Sequence, residues 1–185
     1  MKHILIGLTA AASALAFSST AAAGEFQASA GGTYIFDSSD TEFSFTTATV
    51  RGAYYVKENW GFEAEGSFGI SGVDNYANTG IDFKLNNQFG GYLIGKFPTG
   101  ENGEFFGRIG WRAGSFGASG FGGAADIDYN GFSIGGGYSH FFTESVGLRG
   151  EITTSGANLG GGIKPEGNLT SASVSMVFKL GAKKK

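Results

Sequence analysis

The sequence predicts an all-β chain that closes as an eight-stranded antiparallel up-and-down transmembrane β-barrel. Three observations lead there. Period-2 alternation of apolar and polar residues recurs along almost the whole chain after residue 23. The segments that alternate are joined by connections that are longer at one end than at the other, as a meander with one tight and one loose end requires. Charged residues also fall mid-segment on the face opposite the aromatic one, in Arg51, Glu63, Glu65, Lys84, Arg108, Arg112, Arg149 and Glu151.

Composition bounds the reading. The 185 residues include 34 Gly, far above a usual share of roughly 7%, but only 2 Pro. With 15% aromatics and 41% apolar residues the chain has the means to bury surface, so it is not a disordered Gly/Pro-rich polymer. Cysteine is absent. Disulfides therefore contribute nothing, and stability must come from strand pairing and burial.

The first 23 residues read as a secretory signal. Lys2 and His3 give a basic start, Ile4 to Phe17 an Ala-rich apolar run, and Ala21-Ala22-Ala23 a small-residue cleavage site. The run is shorter than a membrane-spanning helix needs. Cleavage after Ala23 leaves residues 24–185 as one barrel domain. Losing Lys2 leaves 12 basic against 16 acidic residues, a formal charge of −4. If the mature chain enters a membrane, it must do so as strands.

In order, the expected strands are Glu25–Phe36, Phe43–Val56, Gly61–Ile70, Ile81–Phe97, Phe105–Ala113, Ile127–Phe142, Val146–Thr154 and Ser171–Phe178. In the second, Ala48, Val50, Gly52, Tyr54 and Val56 oppose Thr47, Thr49 and Arg51. In the third, Phe62, Ala64 and Phe68 oppose Glu63, Glu65 and Ser67. The fourth is less regular, and Gly90-Gly91 is read as its bulge. In the fifth, Phe105, Ile109 and Trp111 oppose Arg108 and Arg112. The seventh sets Val146, Leu148 and Ile152 against Arg149, Glu151 and Thr153. Loops are expected at 71–80, 114–126 and 155–168, and tight turns at Lys57-Glu58-Asn59, Pro98–Gly103 and Thr143-Glu144-Ser145.

The hairpin is a repeating unit. Residues 54–65, YYVKENWGFEAE, align without gaps on 140–151, HFFTESVGLRGE, and a third copy lies near Phe97 to Arg112. Aromatics gather near the tight turns, in Tyr54, Trp60, Phe97, Phe105, Tyr138, Phe141 and Phe142, as a headgroup-level girdle would place them. Two environments fit such strands. In a soluble barrel or sandwich the charges would be in water. In a membrane barrel they would fill a narrow interior and neutralise one another. The nearly charge-free apolar face and the aromatic girdle favour the second.

The stretch GGYSHFFTESVGLRGE at residues 136–151 resembles a recurring segment of the small outer-membrane β-barrel family of OmpX, Ail, opacity proteins and the OmpA membrane anchor. The resemblance implies the outer membrane of a Gram-negative bacterium as location. It also implies outer-membrane lipid and lipopolysaccharide, the barrel-insertion machinery and a surface ligand of the loops as partners. Family members usually end on an aromatic residue, whereas here Lys179 to Lys185 follow Phe178.

No catalytic, cofactor or metal site is expected. His140 is the sole histidine of the mature chain, and its neighbour Ser139 points to the opposite face, so the two cannot form the pair that barrel lipid-A deacylases use. Asp37, Asp40 and Glu42 lack a calcium-loop spacing and read as a solvated acidic loop. Gly120–Gly123 and Gly160–Gly162 have no following helix or lysine to hold phosphate. The tail Lys183-Lys184-Lys185 is too short to argue for nucleic acid against an acidic net charge. The role expected is structural or surface-interacting (envelope integrity, adhesion), with a narrow solute channel or a lipid-modifying enzyme as alternatives.

Overall fold

A computed structural model describes residues 24–37, 44–74, 79–120, 123–156, 158–159 and 168–180. The segment read as a signal, Asp40 and Glu42, Phe121-Gly122, Gly160–Gly162 and the terminal lysines lie outside the described residues. Among the described residues nine strands form one sheet: β1 (Glu25–Asp37), β2 (Ser44–Lys57), β3 (Trp60–Ser71), β4 (Asp82–Thr99), β5 (Gly103–Gly120), β6 (Gly123–Phe141), β7 (Val146–Gly156), the two-residue β8 (Asn158–Leu159) and β9 (Asn168–Leu180). Every pairing between them is antiparallel. The order runs β5-β4-β3-β2-β1-β9-β7-β6, and β5 also pairs with β6, so eight strands close as a barrel and leave no edge around the wall.

Alternation fixes which side chains turn inward. Strand β2 buries Phe45, Thr47, Thr49, Arg51, Ala53 and Tyr55 and exposes Val50, Tyr54 and Val56. The exposed set is apolar around the whole barrel: Phe62, Phe89, Leu93, Ile109, Trp111, Phe132, Ile152 and Val174 are 42% to 63% exposed. Arginines and glutamates are meanwhile buried. A soluble protein inverts this arrangement; a protein solvated by hydrocarbon requires it. Along β6 and one residue past its end the outer face carries Phe132, Ile134, Gly136, Tyr138, His140 and Phe142, ten steps that span about 24 Å of bilayer at about 3.4 Å per residue and a 45° tilt. Beyond Phe132 the outer positions are Asn130, Asp128 and Asp126, all exposed.

The hairpin repeat has a steric cause. A Cβ on Gly61 would meet the Tyr54 carbonyl oxygen at 2.0 Å, and one on Gly147 would meet that of His140 at 2.5 Å. Tyr54 and His140 occupy the same place in the two copies, as do Gly61 and Gly147. Both turns thus bring the returning strand too close for any side chain. In the second copy, Thr143 Oγ1 accepts hydrogen bonds from the backbone N–H of Ser145 and of Val146. The Lys179 N–H donates to the Ser145 carbonyl at 2.8 Å, which fastens the end of β9 to that turn.

Four sequence expectations are corrected. The loop placed at 114–126 is instead the far end of a hairpin, in which β5 and β6 pair from Gly103↔His140 to Gly120↔Gly123. Its glycines carry no side chain, so they give no alternation to read. The loop at 155–168 is partly strand: β8 pairs Asn158 with Asn130 and Leu159 with Tyr129, continuing the register of Ser155 with Ser133. The bulge in β4 lies between Leu85 and Asn87, not at Gly90-Gly91, which pair regularly with Arg112 and Trp111. Phe141 faces inward and is buried, whereas Phe142 is exposed, so only Phe142 belongs to the outer girdle.

Candidate functional site

The barrel interior is stacked in three layers. The middle layer is the charged network. Arg51 donates from Nε to Glu65 Oε2 at 2.8 Å, and its Nη2 lies 3.7 Å from Glu151 Oε1. Arg108 donates from Nη1 to Glu63 Oε1 at 2.7 Å and to Glu65 Oε2 at 2.8 Å, while its Nη2 meets Glu151 Oε1. Arg149 donates to Glu63 Oε2 at 2.7 Å and to Glu151 Oε2 at 2.6 Å. Arg112 stands at the margin: Nε donates to the Tyr92 hydroxyl at 3.3 Å, and Nη2 lies 3.6 Å from Glu65 Oε1. These groups come from β2, β3, β5 and β7, placed by strand pairing in one plane across the lumen. Buried ions persist at such cost only where several hydrogen bonds satisfy each one, which is the case for the three carboxylates here.

Seven of the eight residues read as interior charges are buried: Arg51, Glu63, Glu65, Arg108, Arg112, Arg149 and Glu151. Lys84 is the exception and is exposed. The bulge between Leu85 and Asn87 inserts one residue, so parity counted along β4 flips there. Below it Gln88, Tyr92, Ile94 and Lys96 point in; above it Leu85 points in and Lys84 points out.

Towards the long-loop end an apolar layer of Ile35, Phe45, Leu85, Phe116, Tyr129 and Leu169 fills the lumen, with Val73 and Phe83 packed against it. Phe116 stacks on Tyr129 with ring centroids 4.6 Å apart. The Tyr129 hydroxyl donates to Gln88 Oε1 at 2.6 Å, and Gln88 Nε2 donates to Glu65 Oε1 at 3.2 Å, so this layer is tied to the network beneath.

The third layer lies at the tight-turn end and was missed from sequence. Ala53, Tyr55, Ile94 and Phe106 form a small apolar cluster. Around it Lys96 Nζ donates to Glu25 Oε1 at 2.6 Å, Lys179 Nζ to Glu104 Oε2 at 3.4 Å, and Gln27 Nε2 to Glu104 Oε1 at 3.0 Å. Lys96 also lies 4.0 Å from the Tyr55 ring centroid, and Lys179 lies 3.7 Å from that of Phe141. Parity offered a signal: Lys96 is two residues beyond inward Ile94, and Glu104 is four before inward Arg108. Both sit beside a turn, where a charge reads as solvated. Lys179, read as the start of a departing tail, is instead an inward partner in the last turn-side residues of β9, which runs on to Leu180. This layer opens at the tight-turn end into a polar cavity of ≈ 430 Å³ lined by Glu25, Lys57, Glu58, Lys96, Glu104 and Lys179, among others.

His140 lies outside, its ring against Phe142 in an edge contact at 5.6 Å, while Ser139 is buried inside. The two are on opposite faces of the wall, as alternation requires. Among the described residues no group of three or more His, Cys, Asp or Glu side chains is arranged to hold a metal.

Comparisons with known proteins agree with this geometry. No curated protein sequence matches significantly. Among solved structures, the N-terminal β-barrel domain of Pseudomonas aeruginosa OprF superposes with a TM-score of 0.63 at 13% identity, covering 84% of this chain and 96% of that one. Ail, the attachment invasion locus protein of Yersinia pestis, gives 0.59 at 14% identity, covering 84% and 98%. Neisserial surface protein A gives 0.56 at 18% identity, covering 86% and 97%. At such identities the likeness shows a shared fold. The family model for the outer membrane protein beta-barrel domain matches residues 8–178, and the chain therefore belongs to the outer-membrane β-barrel family.

Proposed function

We propose that this is an exported, non-enzymatic barrel of a Gram-negative outer membrane that serves the envelope as a structural and surface-contact element. In this reading residues 1–23 are removed as a signal, residues 24–185 form the barrel, the tight turns lie in the periplasm and the long-loop end faces outward. The observation that carries it is the filled lumen: apolar, charged and mixed layers follow one another with ring and guanidinium contacts across the barrel. Such an interior supports the wall and leaves the outer end of the barrel, with its longer connections, as the surface for contact.

The outer end also bears on the partner. Ail has been solved with the heparin analogue sucrose octasulfate, yet the described residues at this chain's outer end expose Asp74, Asp82, Asp126 and Asp128 beside Lys84. That acidic balance suits a neutral or cationic surface partner better than a polysulfate. Purified barrel in planar bilayers gives no conductance steps in this reading; regular steps would favour the narrow-channel alternative. Heat-modifiable migration on unboiled gels, together with a requirement for detergent, tests membrane residence. A protein that remains monomeric without detergent refutes it.

A further inference from the structure

We infer that the polar cavity at the tight-turn end binds an α-amino carboxylate, a small group carrying one ammonium and one carboxylate, as a free amino acid or the unlinked end of a cell-wall peptide does. The ends of β1, β2, β4, β5, β6 and β9 surround this space of ≈ 430 Å³. That is within the range of small-molecule sites, roughly 300–1,000 Å³. The cavity is blind, because the cluster of Ala53, Tyr55, Ile94 and Phe106 fills the lumen beneath it. A ligand therefore enters and leaves on the tight-turn side.

The floor offers both charges at once. Lys96 and Glu104 are 5% and 4% exposed, and Glu25 and Lys179 reach the same place from β1 and β9. The two ammonium groups converge on one carboxylate oxygen: Glu104 Oε2 lies 3.9 Å from Lys96 Nζ and 3.4 Å from Lys179 Nζ. Each ammonium carries three N–H donors. Among the described residues Lys96 spends one on Glu25 Oε1 at 2.6 Å, and Lys179 one on Glu104 Oε2 at 3.4 Å. The rings of Tyr55 and Phe141 back them on the other side. Donors therefore remain on both lysines for water or a ligand. An acceptor is open as well. Both hydrogen bonds to Glu25, from Lys96 and from Gln27, fall on Oε1, and Oε2 has none among the described residues.

Charge balance selects the ligand. Two lysines and two glutamates leave the floor neutral, and the exposed rim residues Lys57, Glu58 and Glu101 add an excess of one negative charge. A simple anion drawn to Lys96 and Lys179 meets Glu25 and Glu104 on the same floor, and a simple cation meets the reverse. A group with both charges sets its carboxylate on the lysines and its ammonium on Glu25 Oε2, and brings no net charge into the cavity. In the orientation proposed above the cavity faces the periplasm, but binding itself does not depend on that orientation.

The test is a titration of the full barrel in detergent micelles, followed by the backbone amide signals of isotope-labelled protein. Alanine is the probe, with N-acetylalanine lacking the ammonium and alaninamide lacking the carboxylate. Alanine should shift the amides around Lys96, Glu104 and Lys179 with saturation in the millimolar range, and each one-charge analogue should bind about tenfold more weakly. Glu25→Gln keeps shape and removes the open carboxylate. It should weaken alanine about tenfold and abolish the discrimination against N-acetylalanine, while gel migration of the folded form stays unchanged. Diaminopimelate, which repeats the amino-carboxylate at both ends, separates the sources. Affinity equal to that of alanine assigns the site to free amino acids, and binding about tenfold tighter assigns it to cell-wall peptide, whose second end reaches the rim. Shifts that never saturate, shifts away from the cavity, or equal binding of alanine and its one-charge analogues overturn the inference. The wild-type comparison decides the matter even if the variant fails to fold.

Discussion

Replacing Glu65 with glutamine tests the interior most directly. The carboxylate accepts from Arg51 Nε at 2.8 Å and from Arg108 Nη1 at 2.8 Å. It also accepts from Gln88 Nε2 at 3.2 Å and lies 3.6 Å from Arg112 Nη2. Glu65→Gln preserves shape but removes one negative charge, so the network's excess rises from one positive charge to two. The amide also turns an N–H towards guanidinium donors that already need acceptors. Removing one partner of a buried pair costs about 3–5 kcal/mol, far more than the pair's net worth, because the remaining ion is left buried. Glu58→Gln, exposed in the tight turn, is the matched control and should lie within about 0.5 kcal/mol of wild type. The assay is urea-dependent folding in detergent micelles, followed by tryptophan fluorescence and by gel migration without boiling. The midpoint should fall at unchanged slope if both states keep their compactness. If Glu65→Gln unfolds within about 1 kcal/mol of the Glu58→Gln control, the interior is wetter than these distances require and the charge argument fails.

Further outcomes follow from the same geometry. Leu93→Arg places a charge mid-belt on the lipid face and should cost about 2–4 kcal/mol in vesicle-folding titrations, whereas Lys84→Ala, outside and beyond the belt, should cost under about 1 kcal/mol. Phe116→Ala removes a ring stacked on Tyr129 within the outer apolar layer and should cost about 3–5 kcal/mol by cavity formation, read from the same urea midpoints. Gly61→Ala and Gly147→Ala should both slow or prevent formation of the compact gel species, since each Cβ would fall 2.0 and 2.5 Å from a carbonyl oxygen. Gly32→Ala, whose Cβ meets nothing within 4 Å, should be neutral or stabilising by up to about 1 kcal/mol. Equal behaviour of the three glycines would remove the steric account of the repeat.

Much of the barrel is legible in the order of residues. Arg149 and Glu151 alternate with Leu148 and Ile152 over an uninterrupted strand, so a period of two assigns lumen and lipid without coordinates. Arg51, Glu63, Glu65, Arg108 and Arg112 follow for the same reason. Lys84 does not, because one inserted residue between Leu85 and Asn87 reverses the count, and nothing in NNQ announces it. Gly114 to Asp126 reads as a loop since alternation needs side chains to alternate, and a strand rich in glycine has too few. Phe141 and Phe142 are equally aromatic, and aromatic character alone does not separate them; alternation does, since Phe141 lies two residues beyond inward Ser139 and Phe142 two beyond outward His140.

Architecture and environment could be read early because both rest on local periodicity: which faces are apolar, where turns fall, and which residue types are kept from lipid. The contacts across the lumen have a different origin. Lys96 meets Glu25 across 71 positions of sequence, Arg149 meets Glu63 across 86, and Arg51 reaches Ser173 across 122. Closure and strand stagger set those meetings, and they are properties of the whole wall that no single strand records.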